Sequence, residues 1–156
     1  MRHLLIPAAI AAFALTAPAQ AATYRLGALE VAAPWSRPAA ANGNGAGFMV
    51  ITNRGAAADT LMAVETPAAR KAEIHFTSTQ GGMMKMARQD AGVAIPPGKA
   101  VTFAPGGYHV MLLGLTKATK LGDTVPATLV FKSGAKLKVE FQVGAAAPTA
   151  DPHAHH

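Results

Sequence analysis

Residues 127–143 read Ala-Thr-Leu-Val-Phe-Lys-Ser-Gly-Ala-Lys-Leu-Lys-Val-Glu-Phe-Gln-Val. From Lys136 to Val143 polar and apolar residues alternate without a break. That period of two puts Leu137, Val139, Phe141 and Val143 on one side and Lys136, Lys138, Glu140 and Gln142 on the other, as on a strand buried on one face. Ser133-Gly134 is hairpin turn chemistry, and Ala127–Phe131 is its partner strand. This hairpin sets the pattern for the rest of the chain.

Working back from it, Gly122-Asp123 marks a turn and Tyr108–Leu113 a strand. Pro105-Gly106-Gly107 breaks the chain before that strand, and Pro96-Pro97-Gly98 breaks it again, with the short strand Val101–Phe103 between them. Val93–Ile95 is short and apolar. Met83–Arg88 follows the tight turn Gln80-Gly81-Gly82, which pairs it with Ala72–Ser78. Thr60–Glu65 precedes a segment, Pro67–Lys71, that could form one helical turn. Phe48–Thr52 ends in Asn53-Arg54-Gly55, a turn, and follows a Gly- and Asn-rich stretch, 43–47, that reads as loop. Leu26–Ala32 is the first strand, closed by Pro34. Short strands with turns every 8–12 residues predict an all-β sandwich or barrel of one domain.

Residues 1–21 stand apart. Arg2 and His3 precede an apolar run from Leu4 to about Ala17, and Ala19-Gln20-Ala21 is a small-x-small cleavage pattern. This reads as a secretory signal peptide, too short and poorly flanked for a membrane span. The expected exported protein has a folded domain over 22–144. From Ala145 the composition turns to Ala, Pro and Thr, and 145–156 reads as a flexible tail carrying His153, His155 and His156.

The 156 residues are 51% hydrophobic and 14% charged, which fits one folded domain and argues against disorder. There is no cysteine. Thiolate zinc, iron–sulfur clusters, a catalytic thiol and a blue-copper centre are therefore excluded. The formal charge of +6 is spread along the chain rather than clustered, so nucleic acid is not an expected partner. Ser36, Ser78 and Ser133 lie in no nucleophile-elbow context and the eight acidic residues form no paired-carboxylate pattern, so no enzyme is expected.

His and Met carry what chemistry there is. On the strand Tyr108–Leu113, His109 and Met111 project to one side and Tyr108, Val110 and Leu112 to the other. An imidazole beside a soft, neutral thioether suits Cu(I). Taken alone, such a pair is more often a core strand with a satisfied histidine. His75 shares a face with Glu73 and Thr77, a polar setting in which a histidine is ordinarily just solvated. Met83, Met84 and Met86 follow across the turn, and on a strand they cannot all face one way. Trp35, the single tryptophan, reads as a packing aromatic.

The spacing of these residues resembles that of the PCuAC family of periplasmic copper(I) chaperones, whose motif is His, ten residues, Met, about twenty-one residues, then His-x-Met. Here ten residues separate His75 from Met86, and twenty-two separate Met86 from His109-Val110-Met111. Members often carry a further Met two residues after the first His, where this chain has Thr77. The likeness extends through Ala33-Pro34-Trp35-Ser36-Arg37, Gly45-Ala46-Gly47-Phe48, Ala72-Glu73-Ile74-His75, the approach Pro105-Gly106-Gly107-Tyr108-His109, and Gly122-Asp123-Thr124-Val125-Pro126. It covers roughly residues 27–144. The resemblance implies a cupredoxin-like Greek-key barrel or sandwich that binds one Cu(I) through His75, Met86, His109 and Met111. It also implies a periplasmic monomer that passes copper to a cytochrome oxidase subunit or another copper-assembly protein. The tail histidines 153, 155 and 156 would suit Cu(II). The competing expectation is a non-metal β-sandwich of envelope assembly or adhesion, with the same His and Met serving as packing.

Overall fold

The computed structural model describes residues 20–148. The body of the expected signal peptide, and the histidines at 153, 155 and 156, lie outside the described residues. Among the described residues eleven strands run in chain order: β1 Thr23–Leu26, β2 Leu29–Ser36, β3 Asn44–Asn53, β4 Asp59–Glu65, β5 Ala69–Gln80 and β6 Met83–Arg88, followed by β7 Val93–Ile95, β8 Ala100–Phe103, β9 Tyr108–Leu115, β10 Thr124–Phe131 and β11 Lys136–Val143. They form one sheet in the order β6-β5-β9-β8-β3-β2-β11-β10-β4-β7, with β1 added on β2 and a further pairing of β9 with β3. Most neighbours are antiparallel; β11–β2 and β8–β9 are parallel. No helix occurs among the described residues, so Pro67–Lys71 is not a helical turn. A turn covers Pro67 and Ala68, and Ala69 already belongs to β5.

The alternation read in β11 is the one observed. Leu137, Val139, Phe141 and Val143 are buried, and Lys136, Lys138 and Glu140 are exposed. The core joins this face to Val31, Ile51, Leu61, Ile95, Val110, Leu112 and Leu129. Each such side chain stabilises the fold by roughly 1.5–3 kcal/mol relative to exposure. Asn53 is buried at the end of β3 with its amide fully used. Its Nδ2 donates to the carbonyls of Ala57 and Ile95 at 2.8 and 3.1 Å, and its Oδ1 accepts from the Gly55 N–H at 2.9 Å. The expected Asn53-Arg54-Gly55 turn is closed by these bonds.

Two expectations are corrected. The strand expected over Leu26–Ala32 is split by a turn at Gly27-Ala28, with Leu26 ending β1, and Pro34 does not close it: β2 continues to Ser36, and its register against β3 shifts between Ala32 and Trp35. Ala33 takes a positive φ of 51° there. Proline, which lacks a donor, is tolerated in a strand at such an irregularity. The stretch 43–47 is also not all loop, since β3 starts at Asn44. Gly45 and Gly47 lie in the strand because large core side chains approach it. A Cβ on Gly47 would sit 2.9 Å from Phe141 Cε1, and one on Gly45 would be 3.5 Å from Leu112 and Leu115 methyl carbons. Glycine in a strand marks this kind of close approach.

Candidate metal centre

The strands β6, β5 and β9 make one end of the sheet, with β6 as the edge. Antiparallel pairing brings His75 directly opposite His109, Glu73 opposite Met111, and Thr77 opposite Met86. Residues paired in this way share a face. His75, His109, Met111 and Met86 are therefore on one face of three adjacent strands, the face turned away from Val110 and Leu112. The two imidazole rings are 5.8 Å apart between centroids. Of the three methionines after the turn, Met84 and Met86 share this face and Met83 takes the other, as period two requires.

Exposure rises steeply from the sheet interior to its edge. His109 is buried at 5% and Met111 is partly buried, whereas Met86 is 55% exposed on β6. The three-strand patch thus has a covered end and an open one.

His109 is fixed by the turn that delivers it. The carbonyl of Gly107 accepts its Nδ1–H at 3.0 Å and also accepts the Thr77 N–H at 3.1 Å. Pro105-Gly106-Gly107 therefore ties the start of β9 to β5 and sets the ring at once. On the opposite side of the sheet Tyr108 packs against Phe76 and Phe103, with ring centroids 4.7 and 5.5 Å away.

His75 is not a solvated surface histidine. Its side chain is only 16% exposed, and its Nε2 lies 2.7 Å from Glu73 Oε2. Its Nδ1 is buried and has no hydrogen-bond partner among the described residues. Glu73 gathers three groups: Lys71 from its own strand and Arg88 from β6, at 3.3 Å, on Oε1, and His75 on Oε2. The Lys71 hydrogen bond, then that of His75, with Arg88 adding to them against the opposing effect of burial, hold the Glu73 carboxyl down at about 2. Glu73 is a member of the site that is not among the four His and Met residues expected from the chain. The signal was the alternation Lys71-x-Glu73-x-His75, which puts base, acid and imidazole in one row.

Trp35 lies on this outer face as well. It pairs in register with Phe48, whose ring is 4.8 Å away, and Arg37 lies over both rings at 5.8 and 5.7 Å. Ala46, two residues before Phe48, is opposite Met111. Trp35 is thus a packing aromatic, but in a layer outside the main core that continues the His–Met face across β3 and β2. Among the described residues no three His, Asp or Glu side chains are grouped as metal ligands. A metal held here would need the thioethers.

The chain as a whole is similar to proteins of known family and structure. A family model described as lipoprotein LpqE-like matches residues 29–143. A protein of Leifsonia xyli subsp. xyli, Lxx21020, named as a lipoprotein, is 31% identical over 129 residues, which cover 83% of this chain and 77% of that protein. Among solved structures, the apo PCuAC domain from PmoF1 is 29% identical, with a TM-score of 0.67 over 80% of this chain and all of that one. The copper-bound PCuAC domain from PmoF2 is 27% identical, also with a TM-score of 0.67, over 80% and 99% of the two chains. The solution structure of the Cu(I) form of DR1885 from Deinococcus radiodurans is 30% identical, with a TM-score of 0.57 over 74% and 78%. The fold is the cupredoxin-like β fold of these domains.

Proposed function

This chain belongs to the LpqE-like family, which is the family of PCuAC domains, and from that premise we propose that it is a periplasmic copper metallochaperone. In this reading it binds one Cu(I) through His75, Met86, His109 and Met111 and delivers it to a cytochrome oxidase copper site or another copper-assembly protein. It is a copper-handling protein and not an enzyme. Copper is its cargo.

One observation carries the reading. Residues 34 positions apart in the chain, His75 and His109, are register partners on one face, and the thioethers of Met111 and Met86 flank them on the same face. Two imidazoles and two thioethers make a neutral, soft donor set that favours Cu(I) over hard cations. The thioethers carry no proton to displace, so binding competes with protons only at the histidines. The exposure of Met86 leaves one ligand open to a partner, as ligand-by-ligand exchange requires. A cysteine-free site also suits an oxidising compartment, where thiolates are lost to disulfides.

The family description as lipoproteins supports export, and no helix among the described residues is long and apolar enough to cross a membrane. None of the 156 residues is a cysteine, so no residue of this sequence can carry a thiol-linked lipid. Export in this reading rests on a signal peptide over 1–21, ahead of the copper-binding domain over 22–144. The histidines at 153, 155 and 156 on the tail over 145–156 form an auxiliary Cu(II) capture arm. Their removal is expected to lower Cu(II) uptake and to leave Cu(I) affinity unchanged.

The test is a Cu(I) competition titration against a chromophoric chelator, without oxygen, on the chain and on its His109→Ala, Met111→Ala double variant. The double variant should keep its β circular dichroism and lose tight Cu(I) binding. Unchanged Cu(I) affinity in a folded double variant would remove the assigned site. A non-metal module would instead give a melting temperature indifferent to copper, and a loss of about 2–5 kcal/mol in stability on truncating a packed methionine.

A further inference from the structure

The two histidines are not held in the same way. The Gly107 carbonyl can only accept, so His109 Nδ1 is the protonated nitrogen and its lone pair is on Nε2. At His75 the arrangement is reversed. Glu73 receives Lys71 and Arg88 on Oε1, so its carboxylate accepts on Oε2 as well, and His75 Nε2 must be the donor. The lone pair of His75 is then on Nδ1, the buried atom with no hydrogen-bond partner among the described residues. A buried N–H without an acceptor is disfavoured, which argues against the opposite tautomer.

We propose that Glu73 is a positioning residue that locks His75 as its Nε2–H tautomer, so that His75 offers Nδ1 to the metal while His109 offers Nε2. The inference rests on the copper reading for the identity of the ion, and on hydrogen-bond geometry alone for the tautomers. Its physical basis is general: a ligating imidazole is oriented by the acceptor of its other ring nitrogen, and carboxylate acceptors are a common choice. Nδ1 is the ring nitrogen nearer the backbone. A donor pair of one Nδ1 and one Nε2 therefore places the ion closer to β5 than two Nε2 atoms would. Glu73 is itself tied to β6 through Arg88, so the carboxylate that orients His75 is braced against the strand that carries Met86.

The experiment is two-bond proton–nitrogen correlation NMR of the nitrogen-15-labelled chain, at a pH where both imidazoles are neutral, first metal-free and then with one equivalent of Cu(I). The metal-free chain should show His75 protonated on Nε2 and His109 on Nδ1. Cu(I) should then move the resonances of His75 Nδ1 and His109 Nε2. In Glu73→Ala, His75 should exchange between tautomers and Cu(I) affinity should fall by about 10–100-fold, the usual cost of losing such a partner. Glu73→Gln keeps an acceptor oxygen and should restore much of the tautomer preference. Protonation of His75 on Nδ1 in the metal-free chain would overturn the proposal. So would a tautomer balance identical in wild type and Glu73→Ala, or Cu(I) acting at His75 Nε2. Cu(I) that moves no imidazole resonance would instead overturn the copper reading, and with it the ligand role of Nδ1. The metal-free tautomers keep the two failures distinguishable.

Discussion

His75 and His109 are Cα partners on neighbouring antiparallel strands, with their rings 5.8 Å apart and inclined at 45°. Their pairing is fixed by the core beneath it. A slip of β9 by one residue would drive Val110 and Leu112 out of the core and His109 into it, so the hydrophobic pattern holds the site in register. If both rings serve one ion, their contributions to Cu(I) binding are coupled. A double-mutant cycle of His75→Ala and His109→Ala, read by chelator competition, should show an interaction energy of about 0.5–3 kcal/mol. Additive losses would mean that the histidines act at separate places.

The two thioethers should separate stability from binding. Met86 is largely exposed on an edge strand, whereas Met111 is partly buried between β3 and β5. Met86→Ala is expected to change the urea-unfolding free energy of the metal-free chain by no more than about 0.5 kcal/mol. Met111→Ala should cost more, because neighbours close around it. Both should weaken Cu(I) binding, and Met86→Leu should weaken it as much as Met86→Ala, since leucine restores bulk without sulfur. Leucine restoring affinity at position 86 would show that the methionine acts by packing.

The aromatic layer beside the site can be probed through the glycine beneath it. Gly47 is followed by Phe48, which carries Trp35 and Arg37 on the outer face, and its own missing side chain makes room for Phe141. Gly47→Ala is expected to destabilise the chain by about 1–3 kcal/mol through overpacking. Phe48→Ala should cost about 3–5 kcal/mol and shift the Trp35 emission toward that of exposed tryptophan. Both are read by urea unfolding. A neutral Gly47→Ala would contradict the close approach of Phe141.

The Glu73 carboxyl titrates near 2 in the folded chain against an ordinary value of 4.5, and Glu30 is also lowered, chiefly by its hydrogen bond from Arg54. The folded state binds fewer protons than the unfolded state in this range, so stability rises with pH. The contribution is complete above about pH 4.5 and is lost as the pH falls from there through about 2. The urea midpoint of the metal-free chain should therefore be flat from about pH 7 to 5 and fall below that. In Glu73→Gln the fall should be shallower. An identical pH profile in the variant would show that Glu73 does not contribute.

Much of this was legible in the chain itself. Met83–Arg88, Val93–Ile95 and Lys136–Val143 were read with the bounds observed, because sharp turns flank them and alternation or apolar character fills them. Pro34 and the glycines at 45 and 47 misled for a shared reason. Each breaks strands by local propensity, but here a register shift beside Pro34 and the approach of Leu112 and Leu115 to Gly45 and of Phe141 to Gly47 decide the conformation. The resemblance to the PCuAC motif pointed to the four His and Met residues, yet only the pairing of β5 with β9 puts His75 opposite His109. Long-range register leaves no mark on local sequence. Glu73 differs: its ties to Lys71 and His75 lie in the local row Lys71-x-Glu73-x-His75, and only its tie to Arg88 crosses between strands.

The donor atoms around the metal are what set a His–Met site apart from any other. X-ray absorption spectroscopy of the chain loaded with one equivalent of Cu(I) measures them most directly. A first shell containing both nitrogen and sulfur scatterers, with the sulfur reduced in Met86→Leu and in Met111→Leu, is the expected result. A shell of nitrogen and oxygen alone, unchanged in both variants, would contradict the His–Met site.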